Sequence, residues 1–384
     1  MRGLVPILIV LLFSPNISAQ QNEGLDLEIS GYVKELGQLS VDNALSTLRY
    51  ENIVHHRFET EWTLSDHFEI RADMRTRLLH GYSVNHSPGL DRFYETDPNY
   101  LDLAWVWFDR DHALLHSNID RLHLSYIDGP FEMHAGRQRI NWGRTYVWNP
   151  NDLFNAYAFL DFDYEERPGV DAFSVQYNWS YASSVEAGMR VADSFDRSVI
   201  AGMVRSSWGS YDIQVAGGHY LEYATLGIGW AGYIRDAGFK GEIRYFHPEE
   251  RFFEETGHVT ATTGLDYMLP NGLYLQGELL YNGGFRTQTD PLRELVQPPS
   301  ADNLFIAKSG FFLNGSFQVH PLVGASLGLL GSFDRPIVII IPQMTLSVTD
   351  NIDFLLLSQL LKGSVFREAI DTPNLLFFRL KWSY

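Results

Sequence analysis

The feature of this sequence that most constrains its fold is a period-two alternation of apolar and polar side chains, which recurs from Leu25 onward. Between residues 173 and 179, for example, the odd positions are Phe, Val, Tyr and Trp, and the even positions are Ser, Gln and Asn. Because successive side chains of a β-strand point to opposite faces, each such segment predicts a strand with one apolar face. Helical periodicity is weak, so we expect an all-β protein.

Alternation alone does not identify the solvent on the apolar face, since a soluble β-sandwich alternates as well. Three further features favour lipid. The alternating segments are about ten residues long, which is the length a tilted strand needs to cross a bilayer. Tight turns alternate with longer polar connections, as in membrane barrels. Aromatic residues gather at the segment ends, where an interfacial girdle would lie: Tyr126, Trp179, Trp208, Tyr267, Tyr281 and Trp382.

We therefore predict a transmembrane antiparallel up-and-down β-barrel of about eighteen strands, with sixteen as the alternative. The barrel would form a single domain from residue 20 to residue 384, because no domain boundary or low-complexity segment is present. One segment is ambiguous. Tyr100 to Ser117 contains an alternating pattern but is compatible with an extended loop as well as with a strand.

The first nineteen residues are typical of a cleaved secretory signal peptide. Arg2 supplies positive charge, Leu4 to Phe13 form the apolar segment, and Ile17-Ser18-Ala19 offers a small-residue cleavage site. The apolar segment is too short to span a bilayer as a helix. We expect the remainder to be exported beyond the inner membrane.

Composition excludes several kinds of chemistry. The sequence has no cysteine, which excludes thiol catalysis, disulfides and cysteine-ligated zinc. The formal net charge of -18 argues against nucleic acid as a partner, because phosphate binding requires a basic face. The Asp161 to Glu166 run lacks the glycine and spacing of a calcium loop, and His55 and His56 cannot share one face of a strand. We predict no metal, no cofactor and no enzymatic activity.

The last strand predicts how the barrel is assembled. Phe378, Leu380, Trp382 and Tyr384 alternate on one face, and the chain ends on the aromatic Tyr384. This resembles the terminal β-signal of Gram-negative outer-membrane proteins, which the barrel-assembly machinery reads. On this basis the chain resembles the porin-like barrels of the cell outer membrane. The stretch from Gly136 to Gly143 with Trp148-Asn149-Pro150 is similar to one found in uncharacterised porin-like proteins.

The resemblance implies a channel for passive diffusion of small hydrophilic solutes, because a barrel of this size encloses an aqueous lumen. Charges of both signs fall on the predicted inward face and nearly balance, so no strong charge selectivity follows. Arg137 and Arg139 would face lipid in the unbroken register, and we predict that a bulge at Gly136 turns them inward. The predicted pore-lining arginines are Arg71, Arg75, Arg77, Arg121, Arg137 and Arg139.

The long connection from Trp142 to Val170 is the candidate constriction. One hypothesis is that it dips into the lumen and sets an acidic run against the arginines. The other is that it forms a solvated outer cap, whose acids are bridged by divalent cations to lipopolysaccharide. The acids in question are Asp161, Asp163, Glu165 and Glu166.

Other functions remain as alternatives. A structural, adhesive or envelope-export barrel would have its lumen blocked by loops. An outer-membrane phospholipase is less favoured: His123, Ser125 and Asn141 superficially match its constellation, but His123 and Ser125 share the polar face with Arg121. A homo-oligomer is possible by analogy with porins, and lipid and lipopolysaccharide are the expected surroundings.

Overall fold

The computed structural model describes residues 26–41, 47–110, 112–155, 166–250, 252–286, 299–363 and 374–384. The predicted signal peptide, residues 1–19, lies outside the described residues. Nineteen strands form one antiparallel sheet. They are β1 (Asp26–Val41), β2 (Leu48–Ser65), β3 (Phe68–Gly81), β4 (Ala104–Arg110), β5 (Ala113–Asp128), β6 (Phe131–Gln138), β7 (Val170–Ser180), β8 (Ser183–Arg190), β9 (Val199–Trp208), β10 (Tyr211–Tyr220), β11 (Tyr223–Ile234), β12 (Ala237–Pro248), β13 (His258–Met268), β14 (Tyr274–Asn282), β15 (Ser309–His320), β16 (Val323–Ser332), β17 (Ile337–Thr349), β18 (Ile352–Gly363) and β19 (Asn374–Ser383). The helical segments are short: α1 (Tyr82–His86), α2 (Leu90–Glu95) and a 3-10 turn, Phe195–Arg197.

The sheet closes on itself. Neighbouring strands in the chain pair with each other, and β19 returns to pair with β1, with Val33 opposite Trp382. The one exception is β4, because β3 pairs directly with β5 and β4 pairs only with the Ala113–Asn118 part of β5. Eighteen of the nineteen strands therefore form the ring, which confirms the predicted strand number. The ambiguous segment before Ser117 contains one short strand outside the ring.

The two faces of the wall differ as the alternation predicts. Outward apolar side chains have no protein cover: Leu226 is 62% exposed and Val215 is 48% exposed. Inward polar side chains are covered, and Glu242 and Arg244, at alternate positions of β12, are 0% exposed. Closure leaves no unpaired edge in the ring, so backbone groups facing lipid are hydrogen-bonded within the wall.

The tight turns gather at one end of the barrel, which we call the turn end, and most of the longer connections lie at the other, the loop end. Tight turns join the strands at Asp128 to Pro130, Arg235 to Ala237, His320 to Leu322 and Thr349 to Asn351. Gly129 adopts a φ of 58°, which is the left-handed region that glycine accepts readily. The alternation between tight turns and longer connections fails once, because Leu221-Glu222 is a tight turn that joins β10 to β11 at the loop end.

Because the two faces of the wall differ, we predict that the same substitution at two adjacent residues changes the free energy of unfolding by very different amounts. Val175 faces outward from β7, and Gln176 faces the lumen. We expect Val175→Arg to lower the free energy of unfolding by about 2–4 kcal/mol, because it places a charge in hydrocarbon. Gln176→Arg should change it by much less. Chemical denaturation in lipid vesicles measures both, and equal losses would contradict the assignment of faces.

Candidate functional site

The connection between β6 and β7 enters the barrel. We call residues 139–155 the lumenal belt. None of these residues belongs to a strand, yet Ile140, Trp142, Leu153 and Phe154 are each at most 3% exposed. The described part of the connection that the sequence marked as the candidate constriction therefore lies against the inner wall.

At each end of the belt, an aromatic ring packs directly against a glycine of the wall, where a larger residue would not fit. A Cβ atom added to Gly188 of β8 would lie only 2.8 Å from the ring of Phe154. The ring of Trp148 lies 3.2 Å from the corresponding position on Gly310 of β15. The belt thus follows the inner wall from β8 to β15, which is close to half of the ring.

Polar side chains of the wall bind the middle of the belt. Gln214 of β10 donates from Nε2 to the carbonyl oxygen of Trp142 at 2.7 Å and accepts from Nε of Arg144 at 2.9 Å. Arg244 of β12 is fully buried and donates from Nε to Oδ1 of Asn151 at 3.0 Å. A buried charge requires such partners, because an uncompensated one is strongly destabilising.

Two buried carboxylates hold the belt by its backbone. Glu242 of β12 and Glu278 of β14 are 0% and 2% exposed, and each accepts hydrogen bonds from three backbone N–H groups. The donors to Glu242 are Arg144, Thr145 (3.2 Å) and Asn151 (2.8 Å). The donors to Glu278 are Tyr146 (2.7 Å), Val147 (3.1 Å) and Trp148 (2.9 Å). Hydrogen bonds to a charged group contribute about 1.5–3 kcal/mol each, so these two residues are the principal anchors.

Near the loop end, the inner wall opposite part of the belt is apolar. Trp148 and Phe305 pack together there, with ring centroids 5.4 Å apart. They cover a buried cluster of inward wall residues: Leu36, Leu330, Ile337, Ile339, Ile341, Leu355, Leu357 and Phe377. We expected charged side chains around an aqueous lumen, and this region differs because it serves as the packing surface for the loops. The uninterrupted apolar run from Ile337 to Ile341 was the available signal, since a strand buried on both faces loses its alternation.

The charged side of the lumen lies across from the belt and centres on Arg57 of β2. Its guanidinium contacts Asp120 and lies 2.9 Å from Asp73, 2.5 Å from Glu59 and 2.7 Å from Glu166. The set of predicted pore-lining residues omitted Arg57. It shares the parity of Glu59 on the same strand, so extending that pattern by two residues would have found it.

The structure brings four of the predicted arginines to this charged side. Arg71 pairs with Asp73 at 3.0 Å. Arg75 and Arg77 of β3 donate to Asn118 and His116 of β5, at 3.2 and 2.8 Å. Arg121 donates to the carbonyl oxygen of Arg167 at 2.6 Å. Their role in lining a pore stays a prediction.

Of the predicted acidic run, Asp161, Asp163 and Glu165 lie outside the described residues. Glu166 contacts the arginine side of the lumen directly through its ion pair with Arg57. At Glu166 the acid and the arginine are therefore in direct contact, and no solvent-filled space separates the two charges.

The predicted bulge at Gly136 is wrong, and Arg137 does not line the lumen. The pairing of β6 with β5 and β7 runs without a register shift from Phe131 to Gln138, so Arg137 keeps its outward register position. It is only 2% exposed, because residues 97–103 cover it and it forms ion pairs with Asp97 (2.6 Å) and Asp171 (2.9 Å). An arginine that is covered and neutralised avoids hydrocarbon without a bulge.

Arg139 begins the lumenal belt and is exposed. Partial burial and the nearby guanidinium of Arg167 lower its pKa. Asp152, later in the belt, is buried and accepts a hydrogen bond from Arg167. Burial raises the pKa of Asp152 to about 6, although Arg167 opposes that shift.

The residues of the phospholipase alternative do not assemble. Ser125 bonds to His134 at 2.8 Å, and His123 bonds to the backbone carbonyl of Arg137. Asn141 accepts from Arg167 at 3.1 Å. His55 is buried toward Tyr32 while His56 bonds to Tyr384, so this pair is divided between the two faces as predicted.

Two adjoining cavities, of about 440 and 380 Å³, lie along the inner wall of β14–β17. Both are bordered by Ser316, Ser326 and Gln343, and none of their lining residues is charged. The smaller cavity also touches the belt at Tyr146. The smaller space thus lies between the belt and this wall, and its lining combines hydroxyl and amide groups with the apolar side chains of Phe312 and Ile341.

No metal-binding group of three or more His, Asp or Glu side chains occurs in the described part of the chain. Among these same residues, no helix has both the length and the apolar character to cross a membrane.

The fold is similar to those of two solved barrels. Pseudomonas aeruginosa OccD3 (OpdP) has a TM-score of 0.57 and 9% sequence identity, covering 94% of this chain and 92% of that chain. Salmonella typhi OmpF in complex with daunomycin has a TM-score of 0.49 and 9% identity, covering 94% of this chain and 98% of that chain. No protein-family model and no curated protein matches the sequence. The chain therefore has the closed antiparallel barrel fold that it shares with OccD3.

The anchors of the belt predict the effect of removing them. Replacing Glu242 and Glu278 together by glutamine should weaken six backbone hydrogen bonds, because a neutral amide is a poorer acceptor than a carboxylate. In planar-bilayer recordings we expect larger current fluctuations. Glu132→Gln, on the lumen side of β6, is the matched control, and similar fluctuations in control and variant would contradict the anchoring role.

The raised pKa of Asp152 predicts a pH response. Above a pH of about 6 the carboxylate is ionised and pairs with Arg167, and below it the neutral form holds Arg167 less well. We expect current fluctuations to increase as the pH falls through this value. Asp152→Asn should show the low-pH behaviour throughout, and a variant that kept the wild-type pH response would exclude Asp152 as its source.

Proposed function

We propose that this protein is a porin-like channel that lets small hydrophilic solutes diffuse across the outer membrane. The observation that carries the proposal is the pair of adjoining, uncharged cavities along β14–β17, the smaller of which borders the lumenal belt. An 18-stranded barrel encloses more space than its wall side chains can fill. The belt narrows that space on one side and leaves polar groups facing the rest.

The chemistry of the path supports weak charge selectivity. Gln276, Asn314 and Gln343 present amides, which accept and donate hydrogen bonds to hydroxyl-rich solutes. On the far wall, Arg57 and Arg71 are paired with acids. We therefore propose that solute size governs passage more than solute charge.

The proposal includes a route by which the chain reaches the outer membrane and is assembled there. The signal peptide would direct the chain beyond the inner membrane, and β19 would be read by the barrel-assembly machinery. In the structure, Leu376 and Leu380 of this strand and Tyr384 directly after it are at least 37% exposed on the outward face. An exposed apolar face on the closing strand is compatible with such recognition.

A second candidate is a barrel with an occluded lumen, serving a structural, adhesive or export role. The observation that favours it is the apolar cluster beneath Trp148 and Phe305, which fills part of the loop end. Liposome swelling separates the two candidates. Sugars entering at rates that fall with size support the channel, and impermeability to every sugar in a protein shown to be folded supports occlusion.

A bulky side chain in the cavity predicts a specific loss of passage. Gly328 faces the smaller cavity, whereas Leu327 beside it faces lipid and is 50% exposed. Gly328→Trp should reduce swelling rates and conductance by roughly twofold or more, because it obstructs the path. Leu327→Trp should leave both unchanged. Equal rates in the two variants would contradict the placement of the path along β16.

A further inference from the structure

The two cavities along the inner wall end before they reach the loop end of the barrel. Along β15, the larger cavity borders Gln318, near the turn end, and the smaller one borders Phe312, nearer the loop end. Gly310 is the next inward residue of this strand. A Cβ atom added to it would lie 3.1 Å from the ring of Phe305 and 3.2 Å from the ring of Trp148. The two aromatic rings therefore occupy the space beyond the smaller cavity.

The neighbouring strands end the space at the same level. Gly328 of β16 and Ile341 of β17 border the smaller cavity. One inward position closer to the loop end, Leu330 and Ile339 are buried in the apolar cluster that Trp148 covers. A packed apolar layer is a barrier to hydroxyl-rich solutes, because it offers them no hydrogen bonds. The described residues thus border a path that reaches the turn end and is closed toward the loop end.

Two separate segments carry the rings that close the path. Trp148 belongs to the lumenal belt, whereas Phe305 belongs to the connection between β14 and β15. Residues 300–307 of this connection, which we call the lid, fold back inside the ring of strands. Ala301 and Ala307 of the lid are fully buried there. Movement of either segment would open the path, so the attachments of the two segments decide which one is the gate.

The described contacts of the lid centre on Asn282, a buried residue at the end of β14. Its Nδ2 group donates to the carbonyl oxygens of Phe305 (2.8 Å) and Ala307 (3.1 Å). Its Oδ1 atom accepts from the backbone N–H group of Leu304 (3.3 Å). These hydrogen bonds all come from one side chain, so a single substitution removes them together.

The lid is held less firmly than the belt. Besides Asn282, the hydroxyl of Tyr220 accepts a hydrogen bond from the backbone N–H group of Ala301 in the lid (3.1 Å). Both of these anchors are neutral, whereas Glu242 and Glu278, the anchors of the belt, are carboxylates. Hydrogen bonds to a charged group are stronger than those between neutral groups. Of the two segments that close the path, the lid is therefore the one that moves more readily.

We propose that the lid is a gate, which moves away from Gly310 and joins the cavities to the loop end while the belt stays in place. The inference rests on the proposed function, because it names what regulates passage along the same path. Movement of the lid removes Phe305 from the apolar layer and leaves Trp148 alone to cover it. Asn282 is the latch: the lid is closed while its backbone carbonyls are bound there, and open when they are released.

Release of the latch is the first test. Asn282→Ala removes its hydrogen bonds to the lid and should raise the rate of glucose entry in liposome swelling by roughly twofold or more, because the lid opens more often. Asn178→Ala is the matched control, since Asn178 is also an inward asparagine but lies on β7, where it donates to Glu132. The control should pass glucose at the wild-type rate, and circular dichroism should be unchanged in both variants.

A reversible lock tests the lid without any change of fold. The sequence has no cysteine, so Phe305→Cys/Gly310→Cys introduces the only two thiols. A short bis-thiosulfonate joins these thiols and holds the lid against the wall, and a reductant removes it. The linked protein should pass glucose roughly fivefold more slowly than the same protein after reduction.

The outcomes separate the lid from the channel itself. Faster entry in Asn282→Ala, with a block in the linked protein that reduction relieves, supports the lid. A linked protein that passes glucose as fast as the reduced one overturns the lid, and glucose entry in the wild type then leaves the channel standing. Absence of entry in every form, including Asn282→Ala, overturns both proposals.

Discussion

Each side chain of the strand ring must face either lipid or the inside of the barrel, and the rest of the structure depends on this division. Closure between β1 and β19 allows it, because a sheet without an edge satisfies its backbone hydrogen bonds within the wall. The outward face is then free to be apolar. Most of the polar side chains of the wall are directed into one enclosed space, where they can bind chain segments and solutes.

Inside that space, the polar wall acts first as a scaffold for the belt. Glu242 and Glu278 supply acceptors to backbone N–H groups that have no partner strand, so an irregular segment remains stable inside a membrane protein. The apolar cluster under Trp148 fixes the far end. The space left over, along β14–β17, is defined by what the belt does not cover. Its uncharged lining follows from the small and amide-bearing residues of those strands.

The same division explains which predictions failed. We expected Arg137 to turn inward because an arginine in lipid is unfavourable. Instead it stays on the outward face, where residues 97–103 cover it and Asp97 and Asp171 neutralise its charge. Asp97 is far from Arg137 in the sequence and belongs to a segment with no regular structure, so no local pattern could reveal the contact. Arg57, in contrast, lay within a readable alternation. Glu242 and Glu278 lie on the face that the alternation of their strands assigns to the inside, but their role depends on a loop path that alternation does not encode.

The sequence by itself determined that this chain forms a two-faced barrel of about eighteen strands, because the period of two is a local property of each strand. It also determined which side chains point inward for most strands, and the alternate face of the last strand. Only the tertiary structure decided where the belt lies and which charges it meets. Those features join residues distant in the chain, and register between strands, rather than periodicity within one, sets their contacts.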